Sequence, residues 1–423
     1  MSYRRRIIDD ELDELFAELP AIALDGAKGV GKTSTAEERA HGLAKLDAAS
    51  VRESISAAPE SILRRARPLL IDEWQRVPDV WDVVRRAVDT DRSPGQFLLT
   101  GSATPEPGAT AHSGAGRITR LRMRPMTLSE RGVAEPTISM RELLRDPLLD
   151  LGGDSRLGLA DYAAEIISPG LPGIRGLSPR ATRSALDGYL RNAVDRDVPE
   201  AGLRLRRPDV MLDWLRAYAA ATSSTASYTE ILDAATAGHA DKPAKGTTVA
   251  YRDALTQIWL LDPVTAWAPI GSEFTRLGQT PKHHLADPAL AARLLGLSLD
   301  SLIDGEGHPL GPQESTMLGR LFESLVTLCV RVAAQAAEAS VGHLRTRNGD
   351  HEIDLVVVRD DGRVLAIEVK LASTVTERDT RHLHWLAGQL GPRLLDAIIV
   401  NTGPTAYRRT DGIGVVPLAL LGA

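Results

Sequence analysis

The sequence predicts an α/β protein in three parts: a parallel sheet at the amino-terminal end, a helical middle, and a second α/β unit at the carboxyl-terminal end. Three observations carry this expectation. Over the first third, short apolar runs alternate with helical stretches, which means parallel strands joined by helices. From about residue 129 to 298 the pattern turns helical, with Ala- and Leu-rich segments broken by Pro and Gly. Toward the end, apolar runs at 352–359 and 364–370 flank Asp360-Asp-Gly362, the pattern of a hairpin. At 423 residues the chain is too long for one core, and domains are expected at 1–135, 136–305 and 306–423.

The first strands are Ala21-Ile-Ala-Leu24, Pro68-Leu-Leu-Ile71 and Gln96-Phe-Leu-Leu-Thr100, each compact enough to be buried on both faces. Between them, Ser61-Ile-Leu-Arg-Arg-Ala66 and the run 80–88 have helical spacing. Residues 104–116 are rich in Gly, Ser, Thr and Pro and read as a mobile loop, after which 117–124 read as one more strand. In the middle, residues 227–235 and 247–255, separated by a Gly/Lys/Pro break, have the form of a helix-turn-helix. The second helix would end in Ile258-Trp-Leu-Leu261 before Asp262-Pro263. A winged-helix module is one reading of this stretch and an ordinary helical pair the other. Residues 303–312 read as a linker, and 317–337 as the helix that opens the last unit.

Hydrophobic content of 43% and charged content of 25% are those of an ordinary soluble protein. Aromatics at 4% leave the cores to Leu, Val, Ile and Ala. A net charge of −6 argues against a surface coated in positive charge, but a local basic groove still works within a Debye length of about 8–10 Å. The single cysteine, Cys329, excludes an intrachain disulfide and a cysteine-based zinc site, and its apolar neighbours mark it as a core residue. No stretch approaches the ~20 apolar residues of a membrane span. The basic start, Met1-Ser-Tyr-Arg-Arg-Arg6, runs into Asp9-Asp-Glu11 and not into an apolar leader. A cytoplasmic protein without a membrane partner is expected.

Gly26-Ala27-Lys28-Gly29-Val30-Gly31-Lys32-Thr33-Ser34 follows an apolar strand and precedes a helical stretch, the context a phosphate-binding loop requires. Its glycines let backbone N–H groups turn inward around phosphates, backed by the positive end of the next helix. Lys32 would bridge the β- and γ-phosphates of ATP, and Thr33 would ligate Mg²⁺ through its hydroxyl. The run Leu69-Leu-Ile-Asp72-Glu73 supplies the other half: Asp72 for the Mg²⁺ shell and Glu73 beside the attacking water. A carboxylate beside the water separates hydrolysis from mere binding. The next strand ends Thr100-Gly-Ser102 at the same edge, where ligands sit in such sheets. Thr100 or Ser102 would sense the γ-phosphate or simply cap the strand. Arg117 is the candidate arginine finger acting on a neighbour in a homo-oligomer, with Arg120, Arg122 and Arg124 close by in sequence.

At the other end, Asp354 precedes Glu368-x-Lys370 by thirteen intervening residues. Alternation puts Glu368 and Lys370 on one face of their strand, and a hairpin brings Asp354 opposite. Two carboxylates can hold Mg²⁺ or Mn²⁺ through oxygen, with Lys370 positioning a water whose pKa the metal lowers. The pattern resembles the PD-(D/E)xK nuclease fold, in which Glu323 on the preceding helix would be the extra acid. The resemblance implies Glu323, Asp354 and Glu368 as metal ligands and Asp354, Glu368 and Lys370 as the cleaving set. Arg345 and Arg347 are placed to touch phosphates. The bland alternative is a surface strand that reads Glu-x-Lys by composition, and this fold also hosts proteins that only bind. The adjacent pair His283-His284 cannot face one metal from a regular element, so no zinc site is expected there.

The run Leu69-Leu-Ile-Asp-Glu-Trp-Gln75-Arg-Val-Pro78, then Phe97-Leu-Leu-Thr-Gly-Ser-Ala103, Gly116-Arg117 and Pro125-Met-Thr-Leu-Ser-Glu130, resembles a large prokaryotic family of AAA-type ATPases. Gly188-Tyr-Leu190, Asp195-Arg-Asp197, His284-Leu-Ala-Asp287-Pro288 and the run 319–326 extend the likeness over nearly the whole chain. Trp74 departs from it where an aliphatic residue is usual, and Lys28 where Arg or Pro is frequent. The resemblance implies an AAA-type parallel sheet, a winged-helix-like middle and a PD-(D/E)xK-like α/β end, but no defined substrate. ATP turnover coupled to DNA binding or metal-dependent DNA cleavage is the first expectation. An ATP-driven switch or scaffold whose last domain only docks nucleic acid or protein is the second. A toxin or defence component is the third.

Overall fold

The computed structural model describes residues 3–103, 114–146, 148–237, 245–268, 280–304, 316–346 and 349–423. The first sheet contains β1 (Ala21–Asp25), β2 (Gly42–Lys45), β3 (Leu69–Asp72), β4 (Phe97–Gly101) and β5 (Thr119–Arg122). All are parallel, in the order β2-β3-β4-β1-β5. Period-two alternation sorts their side chains into two cores. Ala21, Ala23, Leu69, Ile71, Phe97 and Leu99 face one side, where Val80, Val84 and Val88 of the helix Asp79–Thr90 cover them. Ile22, Leu24, Leu70, Leu98 and Leu121 face the other, under Leu12 and Phe16 of the helix Ile8–Phe16. Burial on both faces is what the continuous apolar runs required. Residues 59–64 form a 3₁₀ helix where helical spacing was expected, and β2 was not expected at all.

The middle is helical. The helices Tyr228–Ala235 and Lys245–Gln257 are the expected pair. The second stops before Ile258-Trp-Leu-Leu261 and not within it, because Trp259 takes φ +62° and turns the chain away. Antiparallel bridges Leu261↔Leu285 and Val264↔Lys282 follow. Residues 104–113, 305–312 and Arg347 lie outside the described residues.

β6 (Ile138–Ser139) pairs with the final strand of the chain. The second large sheet contains β7 (Ser340–Arg345), β8 (Glu352–Val358), β9 (Val364–Val369), β10 (Leu394–Asn401), β11 (Tyr407–Arg408) and β12 (Gly414–Pro417). Their order is β11-β12-β10-β9-β8-β7, with β9, β10 and β12 mutually parallel and the others antiparallel. β13 (Leu421–Gly422) closes back on β6. The helix Glu377–Leu390 covers one face of this sheet through Leu383, Leu386 and Leu390. The twenty-residue helix Met317–Ala336 covers the other and is buried on most sides. Its contacts join one apolar core that runs from Leu128 through Tyr218 and Leu255 to Leu421.

Candidate functional site

The phosphate-binding loop leaves β1 at Asp25 and enters the helix Lys32–Glu37. Gly31 sits at φ +107°, a conformation that L side chains rarely adopt, and a Cβ on Gly26 would lie 2.2 Å from the Met123 carbonyl oxygen. Lys32, 6% exposed, donates from Nζ to the carbonyls of Gly26 (2.7 Å) and Ala27 (2.9 Å). Burial pulls its ammonium down to about 8, against the opposing charge of Glu73. Ala27 and Val30 are buried supports of the loop, and Gly29 takes φ +77° at its turn. Thr33 Oγ1 donates to Asp72 Oδ1 at 2.7 Å, and Thr100 Oγ1 donates to the same oxygen. A hydroxyl and a carboxylate are hard oxygen donors, so this pair suits Mg²⁺ beside a nucleotide.

Glu73 stands at φ +55°, outside the regular strand region. Such backbone costs about 1–2 kcal/mol in a non-glycine residue and collects at functional sites. Gln75 Nε2 and Ser102 Oγ (3.1 Å) both donate to its Oε2. Thr100 therefore serves Asp72, and Ser102 serves Glu73. Gln75 was missed as a site residue because its role depends on the turn at Glu73. Ser34 lies in the first turn of the loop's helix, one residue past Thr33.

Two contacts tie the loop to the middle of the chain. Lys28 pairs with Asp197, which lies in a five-residue π-helical turn, Ala193–Asp197. Tyr189 donates to the Lys28 carbonyl at 3.2 Å. Lys28, Arg76, Tyr189, Arg196, Asp197 and Glu200 surround a cavity of about 230 Å³ at the loop tip. On the other side, Arg122 extends from β5 with its guanidinium 3.7 Å over the Trp259 ring, and its Nε and Nη1 have no hydrogen-bond partner among the described residues. Arg124 (2.9 Å) and Arg331 (3.1 Å) hold Asp262. Burial alone would raise that carboxyl, but these arginines hold it far below the usual range. Arg117 is half-exposed and pairs with Asp89 of its own chain at 2.8 Å, and Arg120 pairs with Asp25 at 3.2 Å.

The hairpin β8–β9 brings Asp354 beside Glu368 and Lys370. Val369 N–H donates to Asp354 Oδ2 at 2.9 Å, and Lys370 Nζ stands 3.6 Å from Glu368 Oε2. Glu323 arrives from the long helix. A residue absent from the sequence reading sits between these acids. Lys282 Nζ lies 2.8 Å from Glu323 Oε1, 2.9 Å from Asp354 Oδ1 and 3.2 Å from Glu352 Oε1, with its side chain 1% exposed. Burial would pull Lys282 down, but the three carboxylates raise it well above an ordinary lysine. Burial pushes Glu323 up to about 8 and Glu368 well above the carboxylate range. Asp354, which burial would also raise, is held low by Lys282 and Lys370. Arg345, expected on phosphates, instead donates to Thr225 and faces Glu352 at 3.8 Å. His283 bonds the Ala226 carbonyl at 2.7 Å and His284 the Ser324 hydroxyl at 3.3 Å, so both are core residues. Among the described residues no cluster of three His, Cys, Asp or Glu side chains is arranged to hold a metal ion.

Three family models match in succession. Residues 18–131 match the model described as AAA domain. The amino-terminal sheet is an AAA-type P-loop ATPase domain. Residues 160–301 match a domain of unknown function (DUF8612), and 318–421 match another (DUF4143). Uncharacterized proteins of Mycobacterium tuberculosis and Mycobacterium bovis are each 28% identical over 434 residues, covering 99% of this chain and 84% of theirs. Among solved structures, the Aeropyrum pernix ORC2 protein in ADPNP-ADP complexes is similar at TM-score 0.31 and 18% identity, over 72% of this chain and 95% of that one. The Aeropyrum pernix ORC1 protein in complex with DNA gives TM-score 0.24 and 17% identity, over 70% and 93%. Likenesses that low carry no argument about ligands. Among the described residues of the ATPase domain and the rest of the chain, no helix is long and apolar enough to cross a membrane.

Proposed function

We propose that the protein is an ATP-driven switch that couples hydrolysis in its amino-terminal domain to nucleic-acid binding by its middle segment, with domains at 1–135, 136–305 and 306–423. The observation that carries the hydrolytic half is the strained Glu73 carboxylate, held by Gln75 and Ser102 beside the Thr33–Asp72 pair. In this reading the loop 26–34 takes ATP with Mg²⁺, Lys32 meets its phosphates, and Glu73 orients the attacking water. Glu73→Gln is expected to keep ATP binding and lose hydrolysis by roughly 10²–10⁴-fold, whereas Lys32→Ala loses binding itself. A Glu73→Gln protein that hydrolyses ATP at the wild-type rate sinks the assignment.

DNA is the proposed partner, on the strength of a basic surface in a chain of net charge −6. Arg204, Arg206 and Arg207 are exposed and line a cavity of about 530 Å³ with Gly246, Thr247 and Tyr251 of the helix Lys245–Gln257. Polyanion backbones are recognised by such charge, and helix-turn-helix order supplies the scaffold. Arg117 would act in trans in a homo-oligomer, which requires release of Asp89. Metal-dependent cleavage at the carboxyl-terminal site, with Mg²⁺ or Mn²⁺, is the second reading. It is favoured by the convergence of Glu323, Asp354, Glu368 and Lys370, and it requires the Lys282 ammonium that lies between Glu323 and Asp354 to withdraw. Supercoiled plasmid incubated with Mn²⁺, beside Asp354→Ala, tests it: Asp354-dependent nicking supports cleavage, and intact plasmid from an active ATPase removes it.

A further inference from the structure

We infer that Lys282 is a built-in cation of the carboxyl-terminal acid cluster: its ammonium takes the place of a metal among Glu323, Glu352 and Asp354, and excludes divalent cations while it stays there. This goes beyond the ATPase reading and does not depend on it. A lysine ammonium has three N–H donors, and three carboxylate oxygens lie within 2.8–3.2 Å of Nζ. The side chain is 1% exposed, so water does not compete for those donors. The backbone fixes the position as well. Lys282 N–H donates to the Val264 carbonyl and Val264 N–H returns the bond to the Lys282 carbonyl, both at 2.9 Å.

The residues do not fit a divalent metal in this arrangement. A metal ion approaches carboxylate oxygens to about 2.0–2.6 Å, and it would have to share Glu323 and Asp354 with an ammonium already at hydrogen-bond distance. The other oxygen of Asp354 accepts from the Val369 N–H. Glu368 offers a buried Oε1 with no hydrogen-bond partner among the described residues, but its Oε2 lies 3.6 Å from the Lys370 ammonium, a second cation beside any metal there. A monovalent and a divalent cation a few ångströms apart also repel strongly in a buried setting.

The position of Lys282 makes the exclusion conditional. It is carried by a two-strand ladder whose other end is Asp262, with Asp262 N–H bonded to the His284 carbonyl at 2.9 Å. Asp262 is gripped by Arg124, which follows β5 of the ATPase sheet. The cluster is thus closed by a segment anchored to the nucleotide-binding domain, and a shift of that ladder would carry the cation with it.

The test is Mn²⁺ binding to the full-length protein without nucleotide, read by thermal unfolding and by the electron paramagnetic resonance of free Mn²⁺. Mn²⁺ is expected to shift the Tm of wild type and Asp354→Asn equally. Lys282→Gln is expected to gain a Mn²⁺ site at least roughly tenfold tighter than any in wild type, lost again in Lys282→Gln/Asp354→Asn. Wild type that binds Mn²⁺ through Asp354, or a Lys282→Gln protein that hydrolyses ATP normally yet gains no site, overturns the inference. Should Lys282→Gln fail to fold, the comparison of wild type with Asp354→Asn decides it alone. ATP hydrolysis in each variant separates a failure here from a failure of the ATPase assignment.

Discussion

Two buried lysines show how position decides charge. Lys32 rests on two carbonyls and is pulled down to about 8, whereas Lys282 faces three carboxylates and is raised. For Lys32 the drop from 10.5 to about 8 corresponds to about 3 kcal/mol disfavouring the charged form. The unfolded chain keeps its proton up to the ordinary lysine value, so this residue's contribution to stability rises with pH between about 8 and 10.5. Phosphates delivered by ATP favour the charged form and raise the pKa again. ATP binding is therefore expected to take up a proton above about pH 8 and none below about pH 7. Titration calorimetry of the wild-type protein in buffers of different ionisation enthalpy measures this, and proton uptake equal at pH 7 and pH 8.5 would exclude Lys32 as its source. Lys32 and its loop were legible from spacing. Lys282 was not: it is 72 residues from Asp354, and Pro281-Lys-His-His carries no pattern that points to an acid cluster.

At the scale of elements, the strands with continuous apolar runs were read correctly because burial on both faces leaves no polar position to confuse the pattern. β2 was invisible for the opposite reason. It is a sheet-edge strand whose Leu43 and Lys45 are exposed, so Gly42-Leu-Ala-Lys45 resembles a loop. The hairpin β8–β9 was also legible, but not its irregularity. Leu344 pairs with Ile353 and Gly342 with Val356, which leaves one extra residue on β8 at Asp354–Leu355. A bulge of this kind re-aims side chains, and here it lies where Asp354 meets Lys282. The helix Lys245–Gln257 and the neighbouring arginines carry the DNA prediction. Replacing Arg204, Arg206 and Arg207 by Ala should weaken binding to all sequences alike. The salt dependence should flatten by up to roughly 3 in the slope of log K against log salt, about 0.9 per lost phosphate contact. Unchanged slopes in a mobility-shift series would place the nucleic-acid surface elsewhere.

The molecule as a whole is organised around the helix Met317–Ala336, whose buried face binds the middle helices and the second sheet into one apolar core. The middle and carboxyl-terminal segments are therefore expected to unfold together. Leu325→Ala, at a fully buried position on that helix, should cost about 2–5 kcal/mol and lower a single calorimetric transition shared by both segments. Separate transitions for the two, with only one displaced, would show that the shared core does not govern their stability. The ATPase sheet has its own two cores, one of which takes in Leu171 and Ala286 of the middle segment, and ion pairs add to that junction: Lys28 on Asp197 and Arg124 on Asp262.

The sequence by itself determined the parts whose chemistry is local. A phosphate loop needs glycines and a lysine at fixed offsets, a parallel strand needs an apolar run, and a hairpin needs a turn between two such runs. All of these can be read from neighbours along the chain. Only the tertiary structure decided which cation meets the acids of the last domain, which residues steady Glu73, and how the nucleotide loop is fastened to the middle helices. Apart from Gln75, two positions from Glu73, those are pairings between residues far apart in sequence, and burial and electrostatic balance select them only after the chain has packed.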